Sequence, residues 1–323
     1  MSAPNVVIAY RGLGESPLEE TALRQAGARV TFVDTLDAPE VRRADALLVT
    51  TQPVTASTIG TLERCKIISR VGVGLDNIDL PAATARGIWV TNVPDYAIDE
   101  VSMHAIALLL AHMRRIPTYA AATRAGHWDG STASTMRRPG LTTLGVLGFG
   151  RIGRAVAAKA RGLGLRVLAH DPQLPAATIA AAGAEPVGWE RLLSTVDYLS
   201  LHLPLAPGSW PLIDGAALAL LSPHAYLINT ARGGLIDEAA LLAALRAGRL
   251  AGAALDVLAT EPPASDHPLL ADPRVTVTPH IAWGSAEASE DVRTKGADEV
   301  VRVLRGERPR CPANELDVAG VPR

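Results

Sequence analysis

The stretch Thr143–Asp171 constrains the chain most. An apolar run, Thr143–Leu147, ends in Gly148-Phe149-Gly150-Arg151-Ile152-Gly153. Ile152, Val156, Ala160 and Leu163 then recur at helical spacing. A second apolar run, Leu165–Ala169, leads into His170 and Asp171, the latter 21 residues after Gly150. Strand, glycine turn, helix, strand and acid in this order predict a dinucleotide site. Gly148 allows the tight turn, Gly150 lets backbone approach a pyrophosphate, and Gly153 permits close helix–strand packing. The helix N-terminus offers N–H groups and partial positive charge to the phosphates. Gly148, Phe149, Gly150, Arg151, Ile152 and Gly153 are therefore candidate cofactor contacts. Asp171 stands where an acid bonds the ribose of NAD.

The pattern around that stretch predicts an α/β chain. At 323 residues, two domains are expected. Strands are expected at Val6–Tyr10, Arg29–Val33, Ala46–Val49, Lys66–Ser69 and Ile88–Thr91. The helix between the first two should span Ser16–Ala26, with Ser16 capping, Pro17 in the first turn and Gly27 at the end. Strands alternating with helices imply a parallel sheet covered on both faces. A long helix is expected over Asp99–Arg115, stopped by Pro117. Residues 120–141 read as less regular, an arm or an oligomer contact. A second strand series follows at Thr143–Leu147, Arg166–Ala169, Tyr198–Leu201, Ala225–Asn229, Ala251–Asp256 and Val275–Thr278. Ala286–Leu304 reads as a closing helix and 309–323 as an irregular tail.

Charge and cysteine content exclude several classes. The net charge of −2 provides no basic field for nucleic acid or an anionic membrane. Cys65 and Cys311 form no disulfide framework, which points to a reducing cytoplasm. Met1–Asn5 shows neither a charged n-region nor an apolar h-region, so no secretory leader is expected. The apolar run near Ala105–Ala111 is far short of a membrane span. His104 and His112 lie eight apart, not at metal-ligating spacing, and no metal site is expected.

Chemistry collects where the later strands end: His202-Leu203-Pro204, Asn229-Thr230-Ala231-Arg232, Asp256 and Thr278-Pro279-His280. Polar strand ends on one sheet converge on one edge. His202, Leu203, Pro204, Thr230, Ala231, Arg232, Asp256 and His280 thus join the candidate cofactor contacts. Arg232 can hold a carboxylate bidentately, His280 can exchange a proton near neutral pH, and Glu261 can stabilise its imidazolium. Taken singly, each has an ordinary alternative: a surface pair, a buried structural histidine, or a solvated acid before a proline turn. Arg70-Val71-Gly72-Val73-Gly74, directly after a strand, is a candidate anion site or simply a tight turn.

Those segments resemble the D-2-hydroxyacid dehydrogenase family. The matching runs are Arg70–Asp79, Gly148–Gly153, Asn229–Asp237, Ala254–Val257, Glu261-Pro262 and Thr278-Pro279-His280, in the family's order along nearly the whole chain. The resemblance implies Arg232, Glu261 and His280 as catalytic residues, and backbone around Val73 and Gly74 as a carboxylate site. It implies two doubly wound parallel-sheet domains. A flavodoxin-like substrate domain (1–98 plus 286–323) would carry an inserted Rossmann NAD domain (99–285). It also implies a homodimer through the cofactor domain and a small 2-oxoacid or D-2-hydroxyacid substrate. The run Pro279–Trp283 and Arg70 are similar to the C-terminal-binding-protein branch. There the tryptophan, here Trp283, lines the substrate pocket, and both arginines approach the carboxylate. Packing is the ordinary alternative for Trp283. That branch also offers a second function, an NAD(H)-sensing corepressor-like binding protein.

Overall fold

The computed structural model describes residues 3–10, 18–205 and 211–316. Ser16 and Pro17, expected to open the first helix, and the last residues of the expected irregular tail, 317–323, lie outside the described residues. The chain forms two compact units, Met1–Ala97 with Ser285–Arg323, and Ile98–Gly284.

The first unit holds β1 (Asn5–Ile8), β2 (Arg29–Phe32), β3 (Ala46–Val49), β4 (Ile67–Arg70) and β5 (Trp89–Thr91). Every pairing is parallel, in the order β2-β1-β3-β4-β5. This is the flavodoxin-like doubly wound order. Successive side chains of β3 enter opposite layers: Ala46 and Leu48 join one core, Leu47 and Val49 the other. Such two-sided burial explains why the strand reads as a continuous apolar run. The helix Ala286–Leu304 belongs to this unit and packs Val292, Ala297, Val300 and Val303 into the first of those cores. Ser285 caps it, its Oγ accepting the Ala288 N–H at 2.9 Å. Its one deeply buried cation, Arg293, donates to Glu19 at 2.7 Å, and Tyr10 Oη donates to the other oxygen of Glu19 at 3.2 Å.

The second unit holds β6 (Thr143–Leu147), β7 (Arg166–His170), β8 (Glu185–Pro186), β9 (Tyr198–Leu201), β10 (Tyr226–Asn229), β11 (Gly252–Leu255) and β12 (Val275–Val277). The order β12-β11-β10-β9-β6-β7-β8 is the Rossmann order with β12 added at one edge. All its strands are parallel, and the strand order reverses between β6 and β9. In open α/β sheets, ligands bind at that switch point, outside the strands' carboxyl ends.

Two local expectations need correction. Pro117 does not end the long helix. The helix spans Ile98–Met113, the chain breaks at Arg115 (φ 51°), and a second helix, Ile116–Arg124, starts with Pro117 in its first turn. Proline suits that position because a first-turn N–H has no partner to lose. Residues 120–141, expected to be less regular, begin in the end of that helix and then hold only short 3₁₀ turns at Ser131–Thr135 and Pro139–Leu141. The edge strand β8 was not expected, being two residues with a proline. Among the described residues, no helix is long and apolar enough to cross a membrane.

Candidate active site

The glycine turn follows β6 at the switch point. Gly148 sits at φ +87°, and an added Cβ would lie 2.7 Å from the carbonyl of His202, which follows β9. At Gly153 an added Cβ would lie 2.1 Å from the Gly148 oxygen. The fold itself therefore demands both glycines. Gly150 differs: an added Cβ would meet nothing within 4 Å, although the residue opens the helix Arg151–Gly162. The open space over that helix start is a cradle of the kind a pyrophosphate fills. Phe149 contributes backbone only, since its side chain is fully buried in the core with Val146, Val156 and Ala169. Arg151 is exposed, and Ile152 is partly buried against the same core.

Other expected cofactor residues lie on the same edge. Asp171 accepts the Phe149 N–H at 2.8 Å and the Gln173 N–H at 2.9 Å. His202 shares a 2.9 Å hydrogen bond with Ser200 Oγ, and desolvation pushes its imidazole down to about 4, so it is neutral at physiological pH. Leu203 packs on the core while Pro204 is exposed. Thr230 Oγ1 is buried with no hydrogen-bond partner among the described residues. An unsatisfied buried hydroxyl is unfavourable unless a ligand completes it. The open cradle at Gly150 and this orphaned hydroxyl both fit a dinucleotide.

Arg232, Glu261 and His280 come from three different loops of this unit. Asn229 places the first. Its Oδ1 accepts the Ala231 N–H at 2.9 Å, and its Nδ2 donates to the Arg232 carbonyl at 2.8 Å. Arg232 Nη1 donates to the Ala231 oxygen at 2.7 Å. His280 Nδ1 and Glu261 Oε2 lie 2.6 Å apart, and Glu261 Oε1 accepts the Leu258 N–H at 2.9 Å. Burial acts to raise the Glu261 carboxyl. The hydrogen bonds from His280 and Leu258 and the charges of His280 and Arg232 outweigh it, holding the group below its ordinary value. With Nδ1 engaged, the His280 ring presents Nε2 for chemistry. Gly233 allows the loop of Leu258 and Ala259 to pass close by, since an added Cβ would fall 1.9 Å from the Leu258 carbonyl carbon.

His280 has φ 53°, a left-handed conformation costing a non-glycine residue roughly 1–3 kcal/mol. Asp256, 1% exposed, holds the backbone around it. Its carbonyl accepts the His280 N–H at 2.9 Å, Oδ1 accepts that of Ile281 at 3.0 Å, and Oδ2 that of Ala282 at 2.9 Å. Sequence reading took Asp256 as a cofactor contact and passed over its role in shaping the loop. Asn229 was similarly read only as part of a motif. Its Asx-type bond two residues on is a signal that short polar side chains after strands do carry.

In the first unit, Arg70 ends β4, and the turn after it holds Val73 and Gly74. Arg70 curls over Gly72, with Nη1 donating to the Val71 oxygen at 3.2 Å. Asn92 Nδ2 fixes the turn by donating to the Val73 oxygen at 2.6 Å. Trp283 is partly buried in the loop after His280.

The comparisons agree with this geometry. Residues 106–282 match the family described as D-isomer specific 2-hydroxyacid dehydrogenase, NAD binding domain. The chain is 44% identical over 268 residues to D-3-phosphoglycerate dehydrogenase of Mycobacterium leprae, covering 83% of this chain and 50% of that one. It spans about half the length of the curated relatives it matches. The crystal structure of D-lactate dehydrogenase from Aquifex aeolicus, complexed with NAD and lactic acid, superposes with a TM-score of 0.85 at 27% identity, covering 94% of this chain and 96% of that one. A glyoxylate reductase from Paecilomyes thermophila gives 0.86 at 29% identity, covering 97% and 99%. These matches speak for the family as a whole rather than for its C-terminal-binding-protein branch. The chain belongs to the D-isomer specific 2-hydroxyacid dehydrogenase family, and NAD is the cofactor of its Gly148–Gly153 unit.

Proposed function

We propose that the chain is an NAD-dependent dehydrogenase interconverting a 2-oxoacid and a D-2-hydroxyacid. The observation that carries this reading is the 2.6 Å pair of His280 Nδ1 with Glu261 Oε2, beside a dinucleotide fold. Bound NADH supplies the hydride. His280 Nε2 gives a proton to the carbonyl oxygen as negative charge develops there, and Glu261 holds the resulting imidazolium through Nδ1–H. Arg232 grips the substrate carboxylate with its planar fork. Arg70 and the N–H groups of Val73 and Gly74 are the substrate-binding candidates of the first unit, and Trp283 that of the second, suited to the group beyond C2. The cofactor is held by Gly148–Gly153, Asp171, the His202-Leu203-Pro204 and Thr230-Ala231-Arg232 turns, Asp256 and His280. Residues 98–284 form the cofactor domain, and 1–97 with 285–323 the substrate domain.

The working enzyme in this reading is a cytoplasmic homodimer. Two cysteines in the chain favour the reducing compartment. The helix Ile116–Arg124 buries none of its residues, and Trp128 nearby is 91% exposed. Ile116 and Leu141 extend this apolar surface, which suits a second copy.

NADH absorbance with glyoxylate, hydroxypyruvate, pyruvate and larger 2-oxoacids, and NAD reduction with D-3-phosphoglycerate, test the reading. Turnover of at least one is expected. Tight NADH binding with no turnover of any would favour the nucleotide-sensing binding protein instead.

A further inference from the structure

The loop that carries His280 is gripped from a helix remote in sequence. His104, on the helix Ile98–Met113, places Nε2 at 3.1 Å from Thr278 Oγ1. Thr278 Oγ1 lies 2.5 Å from Asp256 Oδ1. The proton positions follow from these two distances. Two oxygens 2.5 Å apart need a proton between them, and a carboxylate has none to give. Thr278 therefore donates its single proton to Asp256. Its oxygen is left to accept, so His104 must present N–H at Nε2. His104 Nε2 is also 3.7 Å from Asp256 Oδ1, close enough for the ring to fix that carboxylate from the side as well.

Asp256 is the group that these contacts aim. Its two oxygens take the Ile281 and Ala282 N–H groups, and its carbonyl takes that of His280. His280 is one of two described non-glycine residues with positive φ, so its conformation is imposed from outside. A carboxylate free to rotate could not serve both amides at once. Thr278 Oγ1, at 2.5 Å from Oδ1 and itself held by His104, opposes that rotation.

We infer that His104 is a positioning residue, which through Thr278 locks the Asp256 carboxylate and with it the strained backbone that aims His280. The inference rests on the proposed dehydrogenase function for its kinetic test, and on the structure alone for its local one. His104 contacts Thr278 and Asp256 rather than Arg232, Glu261 or His280, the three residues given chemical roles.

His104→Phe keeps a ring but removes the donor, and His104→Gln restores an N–H at a similar reach. With NADH and hydroxypyruvate, His104→Phe should lower kcat about ten- to a hundredfold, since misplacing a reacting group by ~1 Å costs on that order. KM for NADH should stay within about threefold, and His104→Gln should recover most of kcat. Thr278→Val should give the same loss, and the double variant no further loss, because both act through one link. Amide hydrogen exchange of the cofactor-free protein supplies the second readout. Ile281 and Ala282 should exchange faster in His104→Phe and return to the wild-type rate in His104→Gln. Unchanged kcat in His104→Phe, or equal losses in the Phe and Gln variants, would overturn the inference. If the wild type turns over no 2-oxoacid, the functional reading fails, and exchange decides alone: unchanged protection at Ile281 and Ala282 in His104→Phe removes the role of His104.

Discussion

The N–H of Phe149 donates to Oδ2 of Asp171 across 2.8 Å, tying the glycine turn to the end of the neighbouring strand. The second oxygen accepts the Gln173 N–H at 2.9 Å. Both bonds fix the carboxylate while leaving each oxygen capacity to accept a ribose hydroxyl. A 2′-phosphate at that place would face a like charge, and the next residues, Pro172 and Gln173, provide no cation. NADH should therefore be preferred over NADPH by at least about tenfold in kcat/KM, since like-charge juxtaposition costs on the order of kcal/mol. Equal or better kcat/KM with NADPH would show that Asp171 does not select the cofactor.

Gly150 and Gly153 should separate binding from folding. Gly150→Ala fills space that no described residue occupies, at φ −71°, and should change stability by less than about 1 kcal/mol, mostly through the weaker N-cap. NAD affinity should nevertheless fall at least about tenfold, because the methyl takes the pyrophosphate's place. Gly153→Ala drives a methyl against the Gly148 carbonyl and should destabilise by about 1–3 kcal/mol or more. Chemical unfolding and fluorescence titration with NADH read the two effects. Unaltered NADH affinity in a folded Gly150→Ala would remove the cradle.

Glu261 links the site to acid stability. Its carboxyl is depressed in the folded chain, so the stabilisation it provides is fully present above its ordinary value of 4.5 and is lost as pH falls through the lower folded value. The stability difference between wild type and Glu261→Gln should be steady above that point and shrink below it. Urea titrations from neutral pH to pH near 3 measure it. A difference that grows on acidification would contradict the assigned direction.

Trp283 bears on substrate size. Its ring gives an apolar wall with one N–H donor, which rewards a side chain beyond C2. Trp283→Ala should reduce kcat/KM more for a larger 2-oxoacid than for glyoxylate. Equal losses would make Trp283 a packing residue.

Much of this was legible in the sequence for a physical reason. Buried parallel strands such as Ala46–Val49 must be apolar on both faces, and the positive φ of Gly148 and the approach of Gly153 to the Gly148 carbonyl are local demands. Arg232 and His280 stood out because they follow strand ends, and Glu261 because an acid there can stabilise the His280 imidazolium. What stayed hidden depends on distant parts of the chain. The break at Arg115 turns on a single left-handed residue before Pro117, and β8 exists only because Leu168 and Ala169 offer it a partner. The positive φ of His280 and the reach of His104 to Thr278, 174 residues away, leave no periodic trace. His104 reads in sequence as one more polar position on an amphipathic helix.

The central claim is that His280, held by Glu261, is the proton donor of an NAD-dependent reduction. Measuring kcat and the NADH dissociation constant of His280→Ala beside the wild type, on whichever 2-oxoacid the wild type reduces, tests it most directly. The account predicts that kcat falls about 10²–10⁴-fold, the usual contribution of a general acid, while NADH still binds, weakened only by the loss of one of its several contacts. A His280→Ala enzyme that keeps kcat within about threefold of the wild type would contradict it.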